Sequence, residues 1–255
     1  MASTLATRFE HAMTPTAMRS YLAEFLSTFF FVFAATGSAM SSRKMMPEAA
    51  IVDPSSLVAT GIATAFALSV SVYVSVNVSG GHVNPAVTFG MAVGGHISIP
   101  LAICYSLSQM FGSVFACVIL KFMTVSTDLP VHGIPQEMTG FGATILEGVM
   151  TFALVYTVYA AGDPRRGAFG TMGPLVIGLI AGANVLASGP FTGGSMNPAY
   201  SFGTAVVGGT FRNQAVYWIG PLIGAGAASV VYDTVVFPSQ SPEDSIRGVT
   251  DGIGV

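Results

Sequence analysis

Six long apolar stretches, near residues 21–41, 55–78, 98–123, 143–161, 171–189 and 213–236, constrain this chain more than any other feature. Each approaches the ~20 residues that an α-helix needs to cross a bilayer. Charged residues make up only 8% of the 255 positions and apolar ones 52%, a charged share roughly a third of the usual one. The chain therefore reads as an all-α membrane protein with six full spans. The first stretch follows about 20 residues that include Arg8, Glu10, His11 and Arg19 and is too long for a signal-peptide core, so it is a retained helix. Cys104 and Cys117 both fall inside the third stretch and read as small packing residues. A net charge of -3 with no basic run leaves no electrostatic footprint for nucleic acid.

The chain also repeats itself. Shifted by 113 residues, Ser79-Gly-Gly-His-Val-Asn-Pro-Ala-Val-Thr-Phe-Gly90 falls on Thr192-Gly-Gly-Ser-Met-Asn-Pro-Ala-Tyr-Ser-Phe-Gly203, with seven of the twelve positions identical. At nearby offsets Glu24 falls on Glu147, and Tyr105 with Gly112 on Tyr217 with Gly224. Three full spans separate the two segments, and an odd number of crossings delivers the second copy to the opposite membrane face. The halves are thus inverted, an arrangement that places a transport site at the midplane where they meet.

Each Asn-Pro-Ala triplet, Asn84-Pro85-Ala86 and Asn197-Pro198-Ala199, marks a helix start, because Asn is a favoured N-cap and Pro is favoured at the first helical position. From Asn84 to Gly94 there is room for ~10 helical residues, or ~15 Å, half of a ~30 Å hydrocarbon core. Such a half-helix must enter through a re-entrant loop, for which Gly80, Gly81, Gly193 and Gly194 supply permissive backbone. Irregular backbone at membrane depth survives only where it is buried in protein or lines a wet cavity. Two such loops imply a pore, with two positive helix ends and the Asn84 and Asn197 amides at its centre. A water held there by its oxygen interrupts the hydrogen-bonded chain that a proton needs, and the dipoles repel cations.

Both loops resemble the signature of the major intrinsic proteins, or aquaporins, over about Ala23 to Val236. The 79–90 segment, Ala-Leu-Val-Tyr-Thr-Val-Tyr-Ala at 153–160, and Asp163-Pro164 followed by two basic residues resemble the plant tonoplast intrinsic proteins. The resemblance implies six tilted helices, two half-helices and a pore in each protomer of a homotetramer, placed in the vacuolar membrane. It divides the chain into a cytosolic segment 1–20, a channel body 21–236 (repeat one about 21–123, repeat two about 140–236) and a cytosolic tail 237–255. Arg8, Arg19, Arg165, Arg166 and Arg247 against Arg43, Lys44, Lys121 and Arg212 also lean towards cytosolic termini.

By distance from the triplets, the family's aromatic/arginine constriction falls here on Thr64, Val185, Gly194 and Tyr200. Tyr200 replaces the arginine found in many members, so charge exclusion falls more heavily on Asn84 and Asn197. The tyrosine ring can project into the lumen or fold back and leave it wide. A divergent tonoplast subgroup also lacks the arginine, and that likeness implies passage of urea, ammonia, glycerol or hydrogen peroxide beside water. His132 resembles a loop histidine lining an extended filter in some members; read without the resemblance, it is a solvated loop residue.

Glu24 and Glu147 lie inside apolar helices, where an unpaired ionisable group costs at least ~2.5 kcal/mol. Each either carries protons or accepts hydrogen bonds from its half's loop; symmetric placement favours the second. His82 and its counterpart Ser195 read as loop-bracing groups or as pore-lining ones. No catalytic or metal-binding constellation emerges, and no cofactor is expected. The leading expectation is passive conduction of water and small neutral solutes. The alternatives are a proton-coupled transporter and a poorly conducting structural membrane protein.

Overall fold

The computed structural model describes residues 5–45, 54–124, 128–163 and 172–237. Arg165, Arg166 and the tail 238–255 lie outside the described residues. The regular structure among the described residues is helical: α1 (Leu5–Ala12), α2 (Pro15–Met45), α3 (Pro54–Ser79), α4 (Pro85–Val93), α5 (Ile99–Met123), α6 (Gly140–Gly162), α7 (Gly173–Thr192), α8 (Pro198–Gly208) and α9 (Val216–Val230), which continues as a π-helical turn over Val231–Val236. Six of these, α2, α3, α5, α6, α7 and α9 with its continuation, are long and apolar enough to cross a membrane. The other two in the body, α4 and α8, have 9 and 11 residues, or ~14 and ~17 Å, about half of a hydrocarbon core.

Much of the segment 1–20 is helical. Residues Leu5–Ala12 form a helix, and α2 begins at Pro15 rather than near 21. The cause is local: Thr14 Oγ1 accepts from Ala17 N at 3.3 Å as a cap, and Pro15 occupies the first helical position, where its missing N–H costs nothing.

Packing follows the repeat. In the first half α2 lies on α3 and α5; in the second, α6 lies on α7 and α9. The halves meet where α3 crosses α7, and each half-helix packs on the other half's last span, α4 on α9 and α8 on α5. Small residues permit the α3/α7 crossing: a Cβ at Gly178 would strike the Ala65 carbonyl and Ser69 Oγ, and one at Gly182 would stand 2.7 Å from Ala65 Cβ. Polarity is distributed as lipid requires. Phe66, Phe111, Phe122 and Phe141 are exposed on the outside, whereas Glu24, Gln109 and Glu147 are fully buried.

Candidate functional site

The two re-entrant loops share one backbone pattern. Gly80, Gly81 and Val83 have φ of 90, 67 and 59°, and Gly193, Gly194 and Met196 have 82, 67 and 53°. After each series the asparagine returns to extended backbone, with φ of -155° at Asn84 and -139° at Asn197. Left-handed backbone suits glycine but costs a side-chain-bearing residue ~1–3 kcal/mol, and a β-branched valine is among the least suited. Sequence reasoning missed Val83 and Met196, since nothing in either residue type announces the conformation. Their shared place, one residue before each asparagine, was the available signal.

What holds these residues is a buried carboxylate in each half. Glu24 Oε1 accepts from Ser79 Oγ at 2.6 Å and His82 N at 2.9 Å, while Oε2 accepts from Val83 N and from Gln109 Nε2, both at 2.7 Å. Glu147 Oε1 accepts from Ser195 N at 3.1 Å and Oε2 from Met196 N at 2.7 Å. The left-handed residue therefore directs its N–H at a carboxylate in both copies, and charge-assisted bonds of ~1.5–3 kcal/mol each offset the backbone strain. His82 Nδ1 lies 3.0 Å from Thr88 Oγ1, and Ser195 Oγ donates to Asn197 O at 3.0 Å, so each polar counterpart ties its loop to its own half-helix segment. Tyr105 and Tyr217 repeat the design at the loop entrances, their hydroxyls donating to Ser79 O at 3.0 Å and Thr192 O at 2.9 Å.

The asparagines link the two halves. Asn84 Oδ1 accepts from Ala86 N at 2.8 Å, and Asn197 Oδ1 accepts from Ala199 N at 3.0 Å and Tyr200 N at 3.3 Å, so each oxygen caps its own half-helix. The amide nitrogens cross over: Asn84 Nδ2 donates to Met196 O at 2.8 Å, and Asn197 Nδ2 donates to Val83 O at 3.0 Å. A carboxamide nitrogen carries two hydrogens. One of each pair is engaged across the repeat interface. The left-handed turns at Val83 and Met196 are thus the residues whose carbonyls receive the opposite asparagine.

Asn84 and Asn197 line a narrow cavity with room for about 20 Å³ of water-sized guest, together with His82, Ser195 and Thr64. Its remaining walls are largely apolar, from α2, α3, α6 and α7, and they pair across the repeat: Phe31 with Leu154, Leu68 with Ala181, Thr64 with Ile177. One polar strip of loop atoms therefore faces hydrocarbon. Apart from Thr64, these wall positions were hidden among many similar residues in the stretches, although the 113-residue offset pairs Leu68 with Ala181 and Thr64 with Ile177.

The remaining positions assigned to the constriction cluster around the second loop. Gly194 presses on α7, where an added Cβ would stand 3.0 Å from Val185 Cα. Tyr200 folds back: its buried ring meets Phe31 edge-on, with centroids 5.4 Å apart, and belongs to the apolar core with Ala116, Cys117 and Leu120. His132, from the loop before α6, stands edge-on to Tyr200 at 4.5 Å and against Tyr217 at 5.5 Å, and a Cβ on Gly193 would lie 2.9 Å from its ring. Burial pushes the His132 imidazole down to about 4, so it is neutral near pH 7. At the opposite end His96 Nε2 and Asp233 Oδ2 are 3.1 Å apart, a pairing that sequence distance concealed.

Six spans, two opposed half-helices and a shared midplane cavity define a membrane channel of inverted-repeat design. The family profile described as major intrinsic protein matches residues 11–232, and this chain belongs to that family, whose aquaporin members are membrane water channels rather than enzymes. It is 55% identical to the probable aquaporin TIP5-1 of Arabidopsis thaliana over 99% of this chain and 98% of that one. It is 49% identical to the aquaporin TIP2-1 of the same plant, over 94% and 96%. The X-ray structure of the aquaglyceroporin from Plasmodium falciparum superposes with a TM-score of 0.72, at 19% identity, over 90% of this chain and 99% of that one, a likeness of fold.

Proposed function

We propose that each protomer passes water and small neutral solutes, with urea, ammonia, glycerol and hydrogen peroxide as the candidate class, and excludes ions and protons at the asparagine pair. The observation that carries this reading is the crossed bonding of Asn84 to Met196 O and of Asn197 to Val83 O beside one cavity, which engages one amide hydrogen of each asparagine and leaves the second for a guest oxygen in this reading. A water so held turns its own hydrogens along the pore axis, and the two helix ends oppose a cation at the same point. Solute breadth follows from the second loop. With Tyr200 folded against Phe31 in place of the arginine of many family members, and His132 neutral, Thr64, Val185 and Gly194 leave only short uncharged groups at the constriction.

The proposal includes a homotetramer in the vacuolar membrane with cytosolic termini, supported by the likeness to tonoplast intrinsic proteins. Glu24 and Glu147 act as braces rather than proton carriers, since loop donors surround both. Proteoliposomes under stopped flow test the solute claim. Urea and glycerol permeabilities above those of empty vesicles, without saturation or dependence on a pH gradient, are expected; water flux with no urea or glycerol flux would contradict the breadth.

A further inference from the structure

The membrane face that carries the N-terminus has a groove separate from the pore. It lies between α4, α5 and α9, is walled by Phe89, Val93, Ile103, Leu107, Met110 and Trp218, and has room for about 580 Å³. Along α5 its wall runs from Ile99 to Met110, a rise of ~17 Å, which is about half of a ~30 Å hydrocarbon core and so the depth of one lipid leaflet. A second, more polar hollow of about 540 Å³ adjoins its outer end, sharing Ala92 and Ile99 and adding Arg8, His11 and Ser98. Arg8 and His11 are three residues apart on α1 and share a helix face, whereas Glu10 is two from Arg8 and does not. Ser98 Oγ is buried with no hydrogen-bond partner among the described residues.

We propose that the two hollows form one site for an anionic phospholipid, with an acyl chain in the groove and the phosphate beside Arg8, His11 and Ser98. The groove is as deep as one leaflet, so a chain fills it without leaving its own half of the bilayer. The charge at the mouth decides the headgroup, because a cationic choline end would be brought against Arg8. The chain would rest on the back of the first half-helix, since Pro85 and Thr88 also line the groove, and Thr88 is the residue tied to His82 and Gln109.

The test is native mass spectrometry of the full-length protein exchanged into phosphatidylglycerol or phosphatidylcholine of identical acyl chains. Wild type should retain phosphatidylglycerol preferentially. The Arg8→Gln/His11→Gln pair should lower that preference roughly fivefold, the effect of removing one basic group near a lipid surface. Arg19→Gln, outside both hollows, should leave it unchanged. Leu107→Trp should fill the groove and reduce retention of both lipids while the oligomer and its osmotic permeability persist. Equal retention of the two lipids by wild type, or an Arg19→Gln effect as large as that of the pair, overturns the site. Leu107→Trp that dissociates the oligomer with lipid retention intact assigns the groove to a neighbouring protomer. Complete displacement by glycerol 1-phosphate makes it a phosphate site with no role for the chain.

Discussion

Replacing Glu24 with Gln separates a bracing carboxylate from a proton carrier. Oε1 faces Ser79 Oγ and His82 N, and Oε2 faces Val83 N and Gln109 Nε2, all within 2.9 Å. A carboxamide of the same shape keeps one acceptor oxygen and puts an NH2 in place of the other. The Ser79 hydroxyl can rotate and the Gln109 amide can flip to meet it, but the backbone N–H of His82 or of Val83 is left facing a donor in either orientation. One charge-assisted bond lost, at ~1.5–3 kcal/mol, with a buried N–H orphaned at ~1–3 kcal/mol, gives a destabilisation of about 2.5–6 kcal/mol. Glu147→Gln should cost a similar amount, because either orientation orphans Ser195 N or Met196 N. Unfolding by SDS titration in mixed micelles, followed by circular dichroism, reads the free-energy change directly. Water permeability should fall with it, since Val83 O is then free to move from Asn197. Glu24→Gln that unfolds like wild type while abolishing a pH-gradient-driven flux would refute the reasoning.

Four further outcomes are expected. Asn84→Asp replaces the donor to Met196 O with a carboxylate oxygen 2.8 Å from a carbonyl, so stopped-flow swelling and pH-dye leak should show lower water flux and weaker charge selectivity together. Tyr200→Arg should lower urea permeability more than water permeability, whereas Tyr200→Phe should leave both unchanged, because the ring packs behind Phe31 and is not itself part of the cavity wall. Gly178→Ala forces a Cβ into the Ala65 carbonyl and Ser69 Oγ and should destabilise the α3/α7 crossing by ~1–3 kcal/mol in the same SDS titration. His132, held at about 4 by burial, stays neutral in the fold below its ordinary 6.5. Its protonation therefore favours the unfolded chain, and stability is lost as pH falls through the window between 6.5 and about 4; His132→Gln should flatten that part of a melting-temperature profile.

The spans were legible because lipid imposes a length and a composition, and the half-helices because Asn-Pro is a start signal that occurs twice at matching places. Inversion followed from the parity of three intervening spans. The carboxylate partners of the loops were legible in kind, through the cost of burying Glu24 and Glu147, but not in detail. Gln109 entered that network unannounced, since its counterpart in the second half is Pro221 and the repeat gives no pair to notice. The left-handed turns at Val83 and Met196 were not encoded in either residue type, because tertiary hydrogen bonds set their backbone, and only their shared place before each asparagine hinted at them. The rotamer of Tyr200 depended on Phe31 and His132, which are 169 and 68 positions away in the chain, and no local pattern encodes that packing. The start of α2 was signalled by Thr14-Pro15, a cap followed by a first-position proline, ahead of the apolar stretch that begins near 21.

The central claim is that two crossed asparagines at a shared midplane conduct water and stop protons. Osmotic permeability and proton flux measured on the same proteoliposomes test it most directly. Fast swelling with a low activation energy and a proton leak equal to that of empty vesicles is the predicted result. Swelling no faster than that of empty vesicles, or proton flux that rises in step with water flux, would contradict it.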